Sequence, residues 1–306
     1  MVSLVFGPCQ GLNTVSSPEG LTYDGQTKSW EASSLVNLDV EDGGKRLVNR
    51  PGYSLALSGS WRDAWNAKDG RAFAVKDDVL VRVLDGLTVV PLVSLASPGK
   101  VVWTDLDGLV FWSNGVESGL IQDGAAVAWG GKTYPVASER GRFVDPTAGQ
   151  VLGAGFGRAW IGRDKELCFT AGAGAWHFEE AGVNGIEFPA RVTMVRAVDD
   201  GLYVGTEAGV FFLAGTNPAQ MAATLVTTDP VAAIGSDVAV HTDEITQKYN
   251  PSGACLFMTS RGIVAGLTSG IVLQLTKQRV ALDASAQAAA AVWLPTLRRY
   301  VAILHP

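Results

Sequence analysis

A turn, usually carrying Gly, followed by a short alternating apolar strand, comes round six times in this chain. It reads DGRAFAV at Asp69 to Val75, DGLVFWS at Asp107 to Ser113, GRAWIG at Gly157 to Gly162, DGLYVGT at Asp200 to Thr206, RGIVAGL at Arg261 to Leu267 and RRYVAIL at Arg298 to Leu304. Such a unit cannot bury its apolar faces alone, so its repetition restricts the chain to a ring or an array of one supersecondary element.

Reading outward from each copy supplies the rest of the unit. A strand precedes each one, as in WRDAWNA (Trp61 to Ala67), GKVVWTD (Gly99 to Asp105), VTMVRAV (Val192 to Val198) and ACLFMTS (Ala254 to Ser260). Strands also follow, such as VLVRVL (Val79 to Leu84) and AGVFFL (Ala208 to Leu213), and the first five copies have fourth strands such as LTVVPLV (Leu87 to Val93) and AAVAW (Ala125 to Trp129). Abundant Gly, short strands and turn signals about every eight to twelve residues favour all-β architecture. Four strands in sequence make an antiparallel meander, the blade of a β-propeller. The sixth copy has only two strands before Pro306. ASSLVNLDV (Ala32 to Val40) and GKRLVNRPG (Gly44 to Gly52), joined by a tight turn at Glu41 to Gly44, can supply the missing pair and remove the exposed edges.

The expectation is therefore a six-bladed β-propeller of four-stranded antiparallel blades, its last blade closed by N-terminal strands. It occupies residues 32–306 as a single domain behind an N-terminal arm, 1–31. Two polar stretches, Gly130 to Gly149 and Thr228 to Gly253, break the repeat and are expected to project from one rim. The Ala-rich run Ala284 to Ala291 reads as a linker or short turn feeding a strand.

Composition narrows the function classes. A net charge of -6 opposes non-specific nucleic-acid binding, which needs an excess of Lys and Arg, and no sequence-specific nucleic-acid binding is expected. No stretch approaches the roughly 18 apolar residues of a membrane span, and MVSLVFGPCQG is too short and uncharged for a signal peptide. Synthesis in the cytoplasm is expected. The three cysteines, Cys9, Cys168 and Cys255, are odd in number and far apart, so neither a disulfide framework nor a zinc knuckle follows.

Catalytic groups are sparse. The sequence has no HExxH, CxxC, GxxxxGK[ST] or GxSxG pattern. His177 and Glu179 in AWHFEE share one face of a strand, yet two ligands are too few for zinc, and a solvated turn or strand edge explains them. TDLDG (Thr104 to Gly108) begins like a calcium loop but lacks the later ligands, so it reads as a turn. No catalytic residue, cofactor or metal is expected. Of nine tryptophans, seven fall inside the repeated strands, where packing between blades accounts for them better than sugar stacking. Trp30, outside the blades, is the better interface anchor. Candidate partner-interface residues are Tyr23, Trp30, Arg46, Arg50, Tyr134, Arg140, Arg142, His241 and Tyr249.

The N-terminal phrase GLNTVSSPEGLTYDGQTKSWEASSLVNLDVEDGGKRLVNRPGYSLAL (Gly11 to Leu57) resembles the opening of a family of tailed-bacteriophage virion proteins. In that family a "GINT" start leads to "NVDID..G...RRPG". Ile186 to Met221 looks like its central blades, and Thr259 to Pro306 like its C-terminal closure. Relatives carry a small β-domain between the second and third blades, where only Gly130 to Gly149 stands here. The resemblance implies a structural, non-enzymatic virion protein, made in the host cytoplasm. It would form a homo-oligomeric ring with other phage virion proteins at the tail or head-tail junction, as a hub, nozzle or adaptor. A host-surface glycan-binding propeller is the alternative, and an enzyme degrading cell-envelope polymer is less well supported.

Overall fold

A computed structural model of the chain describes residues 9–12, 23–24, 29–32, 38–41, 46–49, 54–129, 143–172, 177–179, 184–276 and 288–305. Five four-stranded antiparallel sheets follow one another along the chain. The first holds Trp61–Asn66, Ala72–Lys76, Val79–Val83 and Val89–Ser94. The second holds Val102–Leu106, Leu109–Ser113, Ser118–Gln122 and Ala125–Ala128. Val151–Gly155, Arg158–Arg163, Glu166–Phe169 and Gly185–Glu187 make the third. Val192–Val198, Gly201–Thr206, Gly209–Ala214 and Ala222–Thr227 make the fourth. The fifth comprises Val238–His241, Gly253–Thr259, Gly262–Gly266 and Val272–Gln274. A C-terminal hairpin, Ala288–Leu294 with Arg299–His305, comes last.

Turn chemistry sets the register of these meanders. Asp107 (φ 53°) and Gly108 (φ 76°) are both left-handed, as are Asp123 (φ 51°) and Gly124 (φ 79°). Two successive positive φ values are what a two-residue hairpin turn matched to strand twist requires, and Asp-Gly is a favoured pair for it. The Asp107-Gly108 pair is thus a hairpin corner between Val102–Leu106 and Leu109–Ser113.

Alternation along each strand then serves two cores. In Leu109–Ser113, Val110 and Trp112 face a cluster with Phe73, Val75 and Leu80 of the first sheet, while Phe111 faces Leu152 and Ile161 of the third. In the third sheet, Ile161 looks back to the second while Trp160 looks forward to Leu202 and Val204 of the fourth. Tyr203, between those two, turns to Cys255 and Phe257 of the fifth, and Leu256 meets Trp293 and Tyr300 of the C-terminal hairpin. Successive side chains of a strand point to opposite faces, so a sheet covered on both sides must be apolar at nearly every position. That is why the repeated phrases read as almost continuous apolar runs.

The first strands of the second, third and fourth sheets stand side by side in chain order. Val102–Leu106 flanks Val151–Gly155, which flanks Val192–Val198, and the last lies against Gly253–Thr259, the second strand of the fifth sheet. Ala288–Leu294 contacts both Val238–His241 and Trp61–Asn66, so the last described element touches the first sheet. This is the radial arrangement of a β-propeller.

Several expectations change on the structure. Thr228 to Gly253 does not simply project from a rim, because Val238–His241 is the first strand of the fifth sheet and Val231, Ala233 and Ser236 are buried. Its polar look comes from one short helix, Thr242–Ile245, and the turn after it. Ala288 to Ala291 is strand rather than linker, since its small side chains pair across the hairpin with Ala302 to His305 and fit close to neighbouring strands. The N-terminal stretch carries a small sheet of its own. Cys9–Leu12 and Tyr23–Asp24 both pair with Ser29–Ala32, the former in parallel. The expected N-terminal hairpin forms, as Leu38–Glu41 with Arg46–Asn49, and in the described ladders it pairs with no further strand. Most of the second break in the repeat, 130–142, lies outside the described residues.

Trp103, Trp112, Trp129 and Trp160 are buried between sheets, in keeping with a packing role. Trp160 is fully enclosed and donates its indole N–H to Gly155 O at 3.1 Å. Trp160→Ala should cost about 3–5 kcal/mol of unfolding free energy in urea titrations, the range for emptying a large core site. Burial also pushes the Cys168 and Cys255 thiols up to about 12. A thiol easier to ionise unfolded than folded favours the fold below its unfolded pKa, and that contribution fades as pH rises from about 9 to about 12. Both thiols should resist iodoacetamide at pH 8 in the native protein and react on unfolding, as read by mass spectrometry.

Candidate functional site

Where the inner strands converge they line a half-open cavity of about 50 Å³. The first four sheets or their approaches, the segment just before the fifth and the C-terminal hairpin contribute to its wall, through Asp63, Lys100, Leu152, Arg196, Asp237 and Ala289 in chain order. Four of these are charged, and charges on the innermost strands of an apolar fold must find partners or remain costly.

Asp63 is the hub. It sits where the pairing of Trp61–Asn66 with Ala72–Lys76 slips between Arg62 and Trp65, and its φ is 56°. A non-Gly residue held there stores strain of about 1–3 kcal/mol and persists only when its surroundings over-determine it. Here they do. Its carboxylate accepts from Lys100 Nζ (2.7 Å), Arg62 Nη1 (2.7 Å) and the Val101 N–H (2.9 Å), and its carbonyl accepts from the Trp103 indole (2.9 Å). The bulge turns the side chain inward, and the side chain is only 3% exposed.

Lys100 carries the network across the cavity. Besides Asp63, its ammonium donates to Ala289 O of the C-terminal hairpin at 2.7 Å, and Ala289 N donates to Ile234 O at 2.8 Å. Gly235 makes that junction possible. At φ 84°, a Cβ there would stand 2.5 Å from Ala289 O and about as close to the Lys100 chain as contacts allow. On the opposite wall Arg196 donates through Nε to Asp237 Oδ2 at 2.8 Å and through Nη2 to Asp237 O at 3.2 Å. Burial disfavours the Arg196 charge, yet the charge and hydrogen bonds of Asp237 outweigh it, and its pKa is held above the usual value. Thr193, three residues before Arg196 and at a slip of the strand pairing between Val192 and Met194, is buried and lines the same space.

None of the interface residues expected from sequence lies in this wall. Tyr23 and Trp30 are direct backbone partners in the small N-terminal sheet, and Arg46 opens its strand opposite Glu41. His241 is exposed and ends its strand, its N–H donating to Glu244 Oε2 at the start of the short helix. Tyr249 is half-buried against the core of the fifth sheet, with Lys248 Nζ 5.8 Å from its ring centre. Arg50, Tyr134, Arg140 and Arg142 lie outside the described residues. His177 is buried rather than solvated, 3.8 Å from Asp145 Oδ1. The charged wall escaped notice although a signal was present: single charges interrupt otherwise apolar first strands, as in WRDAWNA, GKVVW and VTMVRAV.

Comparison with solved structures bears out the propeller fold. The extracellular domain of hybrid two-component system BT3049 from B. thetaiotaomicron aligns with 95% of this chain at 12% identity and a TM-score of 0.52. The extracellular domain of one-component system BT4673 from the same organism aligns with 76% at 10% identity and 0.50. The BBS1N chain of a complex with ARL6DN aligns with 81% at 11% identity and 0.50, covering 75% of that chain. This chain spans only 37% and 29% of the two extracellular domains. At such identities the likeness extends to fold alone. No family model matches the chain, and no curated protein matches it.

Two substitutions test the wall. Asp63→Ala strands two cations around a buried void and should cost about 3–5 kcal/mol in chemical denaturation, with Asp63→Ala/Lys100→Met losing less than the sum of the single changes. Gly235→Ala should cost about 1–3 kcal/mol, because it combines backbone strain with a collision against Ala289 O.

Proposed function

We propose that this chain is a structural, non-catalytic protein of a tailed-bacteriophage virion, one subunit of a ring at the tail or head-tail junction. The observation that carries the reading is the small, ion-paired centre of the propeller. Pockets that hold drug-sized ligands run to about 300–1,000 Å³, whereas the central cavity is about 50 Å³ and its carboxylates are already engaged by Lys100, Arg62 and Arg196. Carboxylates tied in this way serve cohesion better than proton transfer. A rigid block with a plugged centre suits a part whose work is to hold neighbours by its periphery. The resemblance of Gly11 to Leu57, Ile186 to Met221 and Thr259 to Pro306 to phage virion proteins supplies the setting. A glycan-binding role would call for aromatic faces open in repeated clefts, whereas Trp103, Trp112, Trp129 and Trp160 are buried and Trp61, Trp65 and Trp293 are half-buried.

The same reading includes closure of the ring. The C-terminal hairpin has two strands where the five sheets have four, and Val301 and Ile303 of its outer strand are exposed. The Leu38–Glu41 and Arg46–Asn49 hairpin supplies the two strands needed to complete a sixth blade. Mass spectrometry and cryo-electron microscopy of purified particles should find the chain in several symmetric copies; its absence from the particle would sink the virion role. Hydrogen exchange followed by NMR tests closure separately. All amides of Arg299–His305 should be protected, whereas a free edge would leave alternate amides exchanging quickly.

A further inference from the structure

From the donors left over in its wall, we infer that the central cavity is a binding site for one small monoanion of the halide or carboxylate class. The inference concerns the interior of the propeller and does not depend on the virion role.

Most acceptors in the wall are taken. Both oxygens of Asp63 are engaged, Oδ1 by Lys100 and Oδ2 by Arg62 and the Val101 N–H. Asp237 accepts from Arg196 through Oδ2 and its carbonyl, and its Oδ1 has no hydrogen-bond partner among the described residues. More donors are left over. An ammonium has three protons, and Lys100 spends two, on Asp63 and Ala289. Arg196 uses Nε and Nη2 on Asp237, and Nη1 has no hydrogen-bond partner among the described residues. Thr193 Oγ1 is buried without a partner, in a residue only 8% exposed, and it lines this cavity. Of these only Thr193 Oγ1 is a buried atom left unsatisfied, which is costly, and a group that accepts from it and from the spare Lys100 and Arg196 protons would be held.

Charge in the lining is balanced: two cations, Lys100 and Arg196, meet two carboxylates, Asp63 and Asp237, while Arg62, outside the lining, is shared between Asp63 and Asp78. Selection of an anion therefore rests on the spare donors. Size then selects the ligand. A cavity of about 50 Å³ has room for chloride, bromide or formate and none for a sugar ring. It could equally hold three or four waters at about 10–15 Å³ each, and water is the competing occupant that the experiment must separate.

Crystals of the full chain grown in sodium bromide and measured at the bromine absorption edge give the direct reading. An anomalous peak in the cavity beside Thr193, Lys100 and Arg196 is expected; bromide confined to the surface, or density that scatters as water, overturns the inference. This reading needs no variant. In solution, exchanging gluconate for bromide at constant ionic strength should raise the melting temperature, and Thr193→Val, which removes the hydroxyl with little change of shape, should at least halve that rise. An equal rise in the variant counts against the site.

Discussion

The pairing of Lys100 with Asp63 and with the carbonyl of Ala289 is the contact on which the centre of this propeller depends. It joins the first sheet, the approach to the second and the C-terminal hairpin through one ammonium group. Apolar packing alone would hold neighbouring sheets together two at a time. The ammonium acts instead across the middle, where strands distant in sequence meet. Buried ion pairs seldom add much net stability, since desolvation offsets attraction, but removing one member is severe.

Between sheets the physics is simpler. Each strand presents one face to the sheet before it and the other to the sheet after it, so Trp160 and Ile161, adjacent in sequence, belong to different cores. Tyr203 adds a polar tie, its hydroxyl 2.6 Å from Leu267 O and 2.8 Å from Ile271 O of the fifth sheet. Such a chain of two-sided contacts explains why alternation looks weak in the sequence although the strands are regular.

Much of this architecture was legible because it is local. Asp-Gly corners and apolar runs identify strands and hairpins, and five of the repeated units become four-stranded sheets. What escaped depends on tertiary neighbours. Val238–His241 was hidden because its partners come from Gly253–Thr259, beyond a short helix and a polar turn. Ala288 to Ala291 has helix-forming residues, yet a ladder with Arg299–His305 overrides that preference. The cavity wall was harder still, since Asp63, Lys100, Arg196 and Asp237 come from four separated segments and no short motif contains two facing charges. The interface expected from sequence fell mostly on Tyr and Arg residues outside the repeat, while the charges that matter for the interior stand inside or beside its strands.

The reach of Lys100 also sets a timetable. Residue 100 leaves the ribosome long before residue 289, so during synthesis its ammonium, and the Asp63 bulge it steadies, must wait for a partner supplied by a distant part of the chain. Contacts of such sequence separation are slow to form, because loop closure precedes any reward. Until then the inner rim stays hydrated and the early sheets lack a fixed centre. Arrival of the C-terminal hairpin, rather than formation of any one sheet, is the step that brings Ala289 O to Lys100.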